Sequence, residues 1–194
     1  MKKILKTLLV FAVLILFAGS AWAAVGCSLN DPDRDVKRIF PESTGYKTTF
    51  VTIKEKGGEA LKKEIEDKLK DKLEPVYESI DVPYSFYIIL KGKEAIGYIH
   101  GVNQKGKYGG IQLIVATDTK GKIISFYYQK MSSPEAGKFM DTKFTSQFNR
   151  LTLDDFIKGN LSMNDPSANS PEDFRATLRG LKKNLILLEL LLQK

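Results

Sequence analysis

The sequence predicts an α+β fold in which an antiparallel β-sheet meander packs against helices. Two β-rich runs, Ile111–Thr117 and Ile123–Lys130, flank a short turn that contains glycine, a pattern typical of a hairpin. Two earlier runs, Tyr84–Leu90 and Ala95–His100, are joined by a second short turn, so four successive strands form the meander. A leucine repeat near the end of the chain predicts a long helix that covers one face of the sheet.

The first 26 residues have the features of a secretory signal peptide. Basic residues in Met1–Lys6 precede the apolar run Leu8–Ala18, and Ala21–Ala23 offers a small-x-small cleavage site. An apolar run of eleven residues is too short to span a bilayer comfortably. The sequence therefore predicts an exported, periplasmic or lipid-anchored protein, with a permanent N-terminal membrane anchor as the alternative.

Cys27 is the only cysteine, so no intramolecular disulfide can form. Gly26 directly before it suits a lipobox, and lipidation of Cys27 would tether the protein to the membrane. Against a lipobox, Ala24 stands where leucine is usual, and Ala23 already provides ordinary signal peptidase with a site. Both processing routes stay open, and the glycine before Cys27 favours the lipoprotein.

Cleavage of the signal would leave about 168 residues, enough for one domain with a core. Residues 27–40 are highly charged and predict a solvated N-terminal arm, and residues 41–194 form the domain. The net charge of +7 falls to about +4 when the lysines of the signal leave. A charge this small and dispersed does not indicate nucleic-acid binding.

Before the meander, the chain shows one short strand and one surface helix. Phe50–Ile53 predicts the strand, and Gly57 and Gly58 then interrupt the chain. In Glu59–Leu73 an apolar residue recurs every four positions, which places one narrow packed stripe on a charged helix. His100 is the only histidine, has no partner for a metal site, and is interpreted as structural or exposed.

The final helix begins at Ser170, a good N-cap, with Pro171 at the first helical position. Apolar residues then alternate at spacings of four and three, and further leucines make the last turns apolar almost all round. Burial is the favoured interpretation of this end, and docking on a partner or membrane surface is the alternative. The repeat comprises Phe174, Leu178, Leu181, Leu185, Leu188 and Leu192.

The central segment resembles the FMN-binding domain of the Rnf complex G subunit and of the C subunit of sodium-pumping NADH:quinone reductases. The resemblance covers about Pro83 to Phe156, in which Gly106–Gly110, the hairpin, a Pro/Gly loop and Phe144–Phe148 follow in the family's order. Pro134 and Gly137 fit the family loop, whereas two serines stand where Glu-Thr is usual. The resemblance implies that the loop lies along the flavin ring or ribityl chain, through Ser132, Ser133, Pro134, Glu135, Ala136 and Gly137.

Flavinylated members of that family carry Ser/Thr-Gly-Ala-Thr near the start of the last helix, where the threonine is esterified to the FMN phosphate. Here the matching residues are Phe174, Arg175, Ala176 and Thr177, of which the last two agree with the motif. Arg175 replaces the glycine that would let backbone approach a phosphate closely. The resemblance therefore implies FMN held without a covalent bond, with Arg175 or Arg179 and the helix N-terminus near its phosphate.

By this resemblance, the protein is an exported flavoprotein that transfers electrons through FMN at the cell envelope. Its partner would be a membrane redox complex or a cytochrome, and it would act as a carrier or accessory subunit rather than a stand-alone enzyme. No spacing in the chain matches a nucleophile–base pair or a metal site, so no catalytic residue is named. The alternative is a flavin-free periplasmic or lipid-tethered interaction module with the same fold.

Overall fold

The protein is an α+β domain built on an antiparallel meander, as the sequence predicts, and β1 extends the four predicted strands to five. The structure, a computed structural model, describes residues 27–159 and 161–193, so the predicted signal peptide lies outside the described residues. Sequential strands are neighbours throughout, in the order β1 to β5. The strands are β1 (Gly45–Val51), β2 (Tyr84–Lys91), β3 (Glu94–Lys105), β4 (Gly110–Thr117) and β5 (Ile123–Met131).

Helices cover both faces of the sheet, and the C-terminal one is the longest. Its last turn passes into a π-helical segment, Leu188–Gln193. None of the helices within residues 27–159 and 161–193 has the length and apolar character needed to cross a bilayer. The helices are α1 (Pro32–Ile39), α2 (Ile53–Lys56), α3 (Gly58–Leu69), α4 (Ala136–Met140), α5 (Thr142–Thr145), α6 (Leu153–Lys158) and α7 (Pro171–Leu187), with a 3-10 turn at Ser146–Phe148.

Two strand predictions were wrong at their ends. The strand expected at Phe50–Ile53 is β1, which ends earlier because Thr52 and Glu55 form a capping box that starts α2. The strand expected to end at His100 continues to Lys105. Gly101 lies in this continued part of β3, where its lack of a side chain makes room for Cys27.

Helix α7 packs directly on the centre of the sheet. A Cβ on Gly180 would overlap the Leu113 side chain, so only glycine permits this close approach. Leu181, Leu185, Leu188, Leu190 and Leu191 are buried and Leu192 is partly buried, which confirms burial of the apolar C-terminal end. The Ser170 hydroxyl, expected to cap the helix, makes no capping hydrogen bond.

The opposite face of the sheet is covered by the segment that the sequence suggested was a solvated arm. The expectation of a solvated arm fits only the charged residues of 27–40, most of which are exposed, because Cys27, Leu29, Val36 and Phe40 are buried in a second apolar cluster. Their counterparts on β3 are two glycines: a Cβ at Gly97 would meet Phe40 at 2.5 Å, and one at Gly101 would overlap the Cys27 carbonyl oxygen. A strand-interior glycine often marks such an approach.

Candidate functional site

Three segments singled out in the sequence meet at the N-terminus of α7. They are the β3–β4 turn, the loop after β5 and the chain that enters the helix. The Lys107 amide donates to Asp173 Oδ1 at 2.6 Å, and Lys107 Nζ donates to the Asn169 carbonyl at 3.0 Å. The Glu135 carboxylate accepts from the amides of Ala168 at 3.1 Å and Asn169 at 3.0 Å. The fold thus gathers the regions that the resemblance assigned to a flavin.

The Asp173 carboxylate is fully buried beneath the β3–β4 turn. A Cβ on Gly106 would lie 2.6 Å from Asp173 Oδ1, so the turn approaches the carboxylate closely because it has glycine there. The turn closes with a hydrogen bond from the Gly106 amide to the Gly109 carbonyl at 2.8 Å. Gly109 has φ +140, a conformation that favours glycine.

Glu135 ties the loop after β5 to the entry of α7. Its partners are Lys138, at 2.7 Å, and the two backbone amides that precede the helix. Lys138 and the amides of Asn169 and Ala168 lower the pKa of Glu135 to about 2. The carboxylate therefore stays ionised and occupies N–H groups that an anionic ligand would otherwise use.

Thr177, the residue that corresponds to the flavinylated threonine, is fully buried. Its Oγ1 donates to the Asp173 carbonyl at 2.9 Å and lies 2.9 Å from the Tyr128 hydroxyl. Burial raises the pKa of Tyr128, so that hydroxyl keeps its proton. Ala176, next to Thr177 in the chain, is also buried. The Arg175 side chain is exposed, and its Nη2 lies 3.9 Å from Glu172 Oε1. The structure separates these three residues rather than directing them into one cavity.

The Ser132–Gly137 loop is bonded both within itself and, through Glu135, to the chain that enters α7. Ser132 lies against Gly109, and Ser133 Oγ accepts from the Glu135 amide at 3.3 Å. Ala136 begins α4 and packs against the main core, while Pro134 and Gly137 are exposed.

The residues present do not fit an FMN phosphate at the start of α7. Ionised Glu135 occupies the nearby backbone amides, and Glu172 and Asp173 add carboxylates in the first turn of the helix. Carboxylates there satisfy the positive end of the helix dipole and repel a second anion. The hydroxyl of Thr177 is buried and already bonded within the chain.

A buried ion cluster lies further along α7, and the sequence did not reveal it. The side chains of Glu78 and Lys183 are each 1% exposed and form an ion pair, and Arg179 binds both oxygens of Glu78, at 2.8 and 3.0 Å. Lys183 Nζ also donates to the Asn103 carbonyl at 2.7 Å. The cluster fastens the chain between α3 and β2 to α7 and β3.

Burial opposes the charged form of both Glu78 and Lys183, but only at Glu78 do the neighbouring groups outweigh its effect on the pKa. Burial alone would raise the pKa of Glu78, but Arg179, Lys183 and the Glu74 amide outweigh it and lower that pKa to about 2. Burial lowers the pKa of Lys183 to about 8, although Glu78 opposes the shift. Both groups are therefore ionised at neutral pH.

A surface cleft of about 420 Å³ opens above this cluster and includes Ala176 and Arg179 in its lining. The five N–H groups of Arg179 are all engaged, by Asp71, Glu78, Gln104 and the Lys72 carbonyl. Arg179, expected as a possible phosphate ligand, therefore has no donor left for one. Its role in the structure is to hold the wall of the cleft in place.

His100 is structural. Its ring stacks on Phe86 at a centroid distance of 4.0 Å, and Nδ1 lies 2.9 Å from the Ser85 carbonyl oxygen. Burial lowers its pKa to about 4, so the imidazole is neutral at physiological pH. Within residues 27–159 and 161–193, no group of histidine, cysteine and acidic side chains is arranged to hold a metal ion.

Lys183 could not be recognised as buried from the helical pattern, because it lies beside Lys182 on a stretch with mixed polarity. The one available signal was Gly180, since a glycine within a helix often marks close packing. No protein-family model matches this chain, and no curated protein matches it.

Proposed function

We propose that this chain is a flavin-free binding module of the cell envelope that keeps a sheet and C-terminal helix similar to those of the FMN-binding domain. The module would be exported by the N-terminal signal and would remain periplasmic, or would become lipid-tethered through Cys27, whose side chain would then have to leave the second apolar cluster. It would hold another envelope protein and perform no chemistry of its own. The observation that supports the loss of flavin is that carboxylates and hydrogen bonds of the chain itself close the N-terminus of α7.

Two functions of a phosphate site are taken over by the chain itself. Thr177 Oγ1 is buried and paired with Tyr128 and the Asp173 carbonyl, so it presents no hydroxyl to a flavin phosphate. The Glu135 carboxylate bonds the amides of Ala168 and Asn169 as an anionic ligand would. These contacts would have to break before FMN could bind there.

The test is an absorption spectrum of the mature protein, purified from its own or a flavin-supplied host, followed by titration with FMN. We expect no flavin band at about 450 nm and no quenching of added FMN fluorescence. A flavin band that remains after dialysis would contradict the proposal and favour the electron-transfer function. Acid precipitation would then separate covalent flavin, in the pellet, from non-covalent flavin in the supernatant.

A matched variant sharpens the titration. Glu135→Gln removes the negative charge and keeps the size of the side chain, so it should weaken the contacts that close the α7 N-terminus. If the closed start of the helix is what excludes FMN, this variant should bind FMN more tightly than the parent does. The control is Glu59→Gln, which makes the same carboxylate-to-amide change at an exposed position on α3 and should leave FMN binding unchanged.

A further inference from the structure

Strand β1 forms one edge of the sheet, and its outer side is open. Within residues 27–159 and 161–193, its backbone pairs with β2 alone. In an antiparallel sheet, every second residue of an edge strand directs its N–H and C=O groups away from its neighbour. Phe50 on this strand is 62% exposed, the highest value among the exposed large hydrophobic side chains.

The opposite edge of the sheet is paired with the chain itself at one end. The Arg150 amide donates to the Ile123 carbonyl at 2.7 Å, and the Ile123 amide donates to the Leu151 carbonyl at 2.8 Å. Within residues 27–159 and 161–193, the outer side of β1 has no backbone bond of this kind.

We infer that β1 pairs with the β1 strand of a second copy of this chain, antiparallel and about a two-fold axis. A two-fold pairing that uses all residues of Gly45–Val51 in both copies has one register, in which Thr48 lies opposite its own counterpart. That register joins two five-stranded sheets into one continuous sheet across the axis.

The side chains of β1 are complementary to themselves in this register. Phe50 lies opposite Tyr46 of the other copy, and Thr48 opposite Thr48, both of which are favourable cross-strand pairs. Tyr46 already packs edge-on against Tyr87 at a centroid distance of 5.9 Å, so the pairing would extend an aromatic row. Lys47 lies opposite Thr49, so no two like charges face each other directly.

This inference stands apart from the flavin question, since β1 contributes no residue to the start of α7. One strand on each side makes a small interface, so we expect a dissociation constant of about 1–100 µM. The dimer should therefore form and dissociate over an accessible range of protein concentration.

The experiment is sedimentation velocity of the mature protein over a concentration series, with charge variants at position 48. The wild-type protein should shift from monomer to dimer as concentration rises. Thr48→Lys and Thr48→Glu each place a charge opposite its own copy, and each should weaken the dimer at least about tenfold. An equimolar mixture of the two variants should restore it, because opposite charges then face each other.

The mixture also excludes misfolding as the reason for dissociation, since a chain that cannot form β1 would not be rescued. Ile124→Lys, an exposed position on β5, is the matched control and should leave the dimer intact. A wild-type monomer at every concentration would overturn the inference and leave the edge for a peptide of another protein. A dimer that ignores both charge variants, or a mixture that stays monomeric, would also overturn it.

Discussion

Replacement of Glu78 by glutamine tests whether the buried ion cluster holds the domain together. Glu78→Gln keeps the size and shape of the side chain but removes the carboxylate that, among the residues the structure describes, is the one in contact with Lys183 Nζ. The variant leaves a buried ammonium that has only neutral acceptors, the Asn103 carbonyl and the amide oxygen of the substituted side chain. Removing one partner of a buried ion pair is costly because the other charge stays out of water.

The magnitude follows from the pKa of the carboxyl group. Its value falls from 4.5 to about 2 on folding, and each unit corresponds to about 1.4 kcal/mol, so the ionised group contributes about 3 kcal/mol at pH 7. We therefore expect Glu78→Gln to lower the free energy of unfolding by about 3 kcal/mol. For a domain of this size, that loss lowers Tm by about 6–12 °C.

The pH dependence gives a second prediction from the same cluster. A depressed carboxyl pKa stabilises the fold above pH 4.5, and that stability is lost as the pH falls toward 2. Wild-type protein should therefore lose this contribution in acid, whereas Glu78→Gln has none to lose. The stability difference between them should shrink below pH 4.5, as measured by urea unfolding followed by circular dichroism.

Three further variants, Lys183→Met, Glu78→Gln/Lys183→Met and Lys182→Met, determine whether the loss comes from the ion pair. In Glu78→Gln/Lys183→Met the unpaired ammonium is absent, so the double variant should recover at least about 1 kcal/mol relative to the sum of the single losses. Lys182→Met, a neighbouring and less buried lysine on the same helix, is the control and should cost little. If the single losses simply add, or if Glu78→Gln is as stable as the wild type, the reasoning is refuted.

Three other predictions concern packing and the α7 N-terminus. Gly101→Ala should destabilise the fold by about 1–3 kcal/mol in chemical unfolding, because the added Cβ would overlap the Cys27 carbonyl oxygen. The control is Gly110→Ala, which should be nearly neutral because no atom lies within 4 Å of the Cβ that it adds. Thr177→Val should lower the free energy of unfolding by about 1–2 kcal/mol, because the buried Tyr128 hydroxyl loses its partner. Tyr128→Phe should cost less, because Thr177 keeps its hydrogen bond to the helix backbone. A larger loss for Tyr128→Phe than for Thr177→Val would contradict these roles. Burial raises the pKa of Cys27 to about 12. At pH 8, protein with a free thiol should therefore be alkylated roughly a thousandfold more slowly when folded than when unfolded in urea, as measured by mass spectrometry. Equal alkylation rates in the two states would contradict burial of the thiol.

Local sequence determined the order of the elements and many of their boundaries. Alternating apolar residues and the turn at Asp118–Lys122 specify the β4–β5 hairpin, because strand period and turn chemistry act over a few residues. Pro171 and the leucine repeat likewise specify where α7 begins and that its end is buried. These features depend on neighbours in the chain and can be predicted from it.

The candidate site depended on contacts that sequence spacing does not contain. Burial of Lys183 rests on Glu78, which lies 105 positions away, and the closure of the α7 N-terminus rests on Glu135 and Lys107 from two separate loops. A motif can place Thr177 near the start of a helix, but the direction of its side chain follows from how α7 seats on Leu113 through Gly180. The apolar residues of segment 27–40 are buried for the same reason, since Gly97 and Gly101 open the sheet face to them. Tertiary packing decided these outcomes because burial depends on which distant surfaces meet.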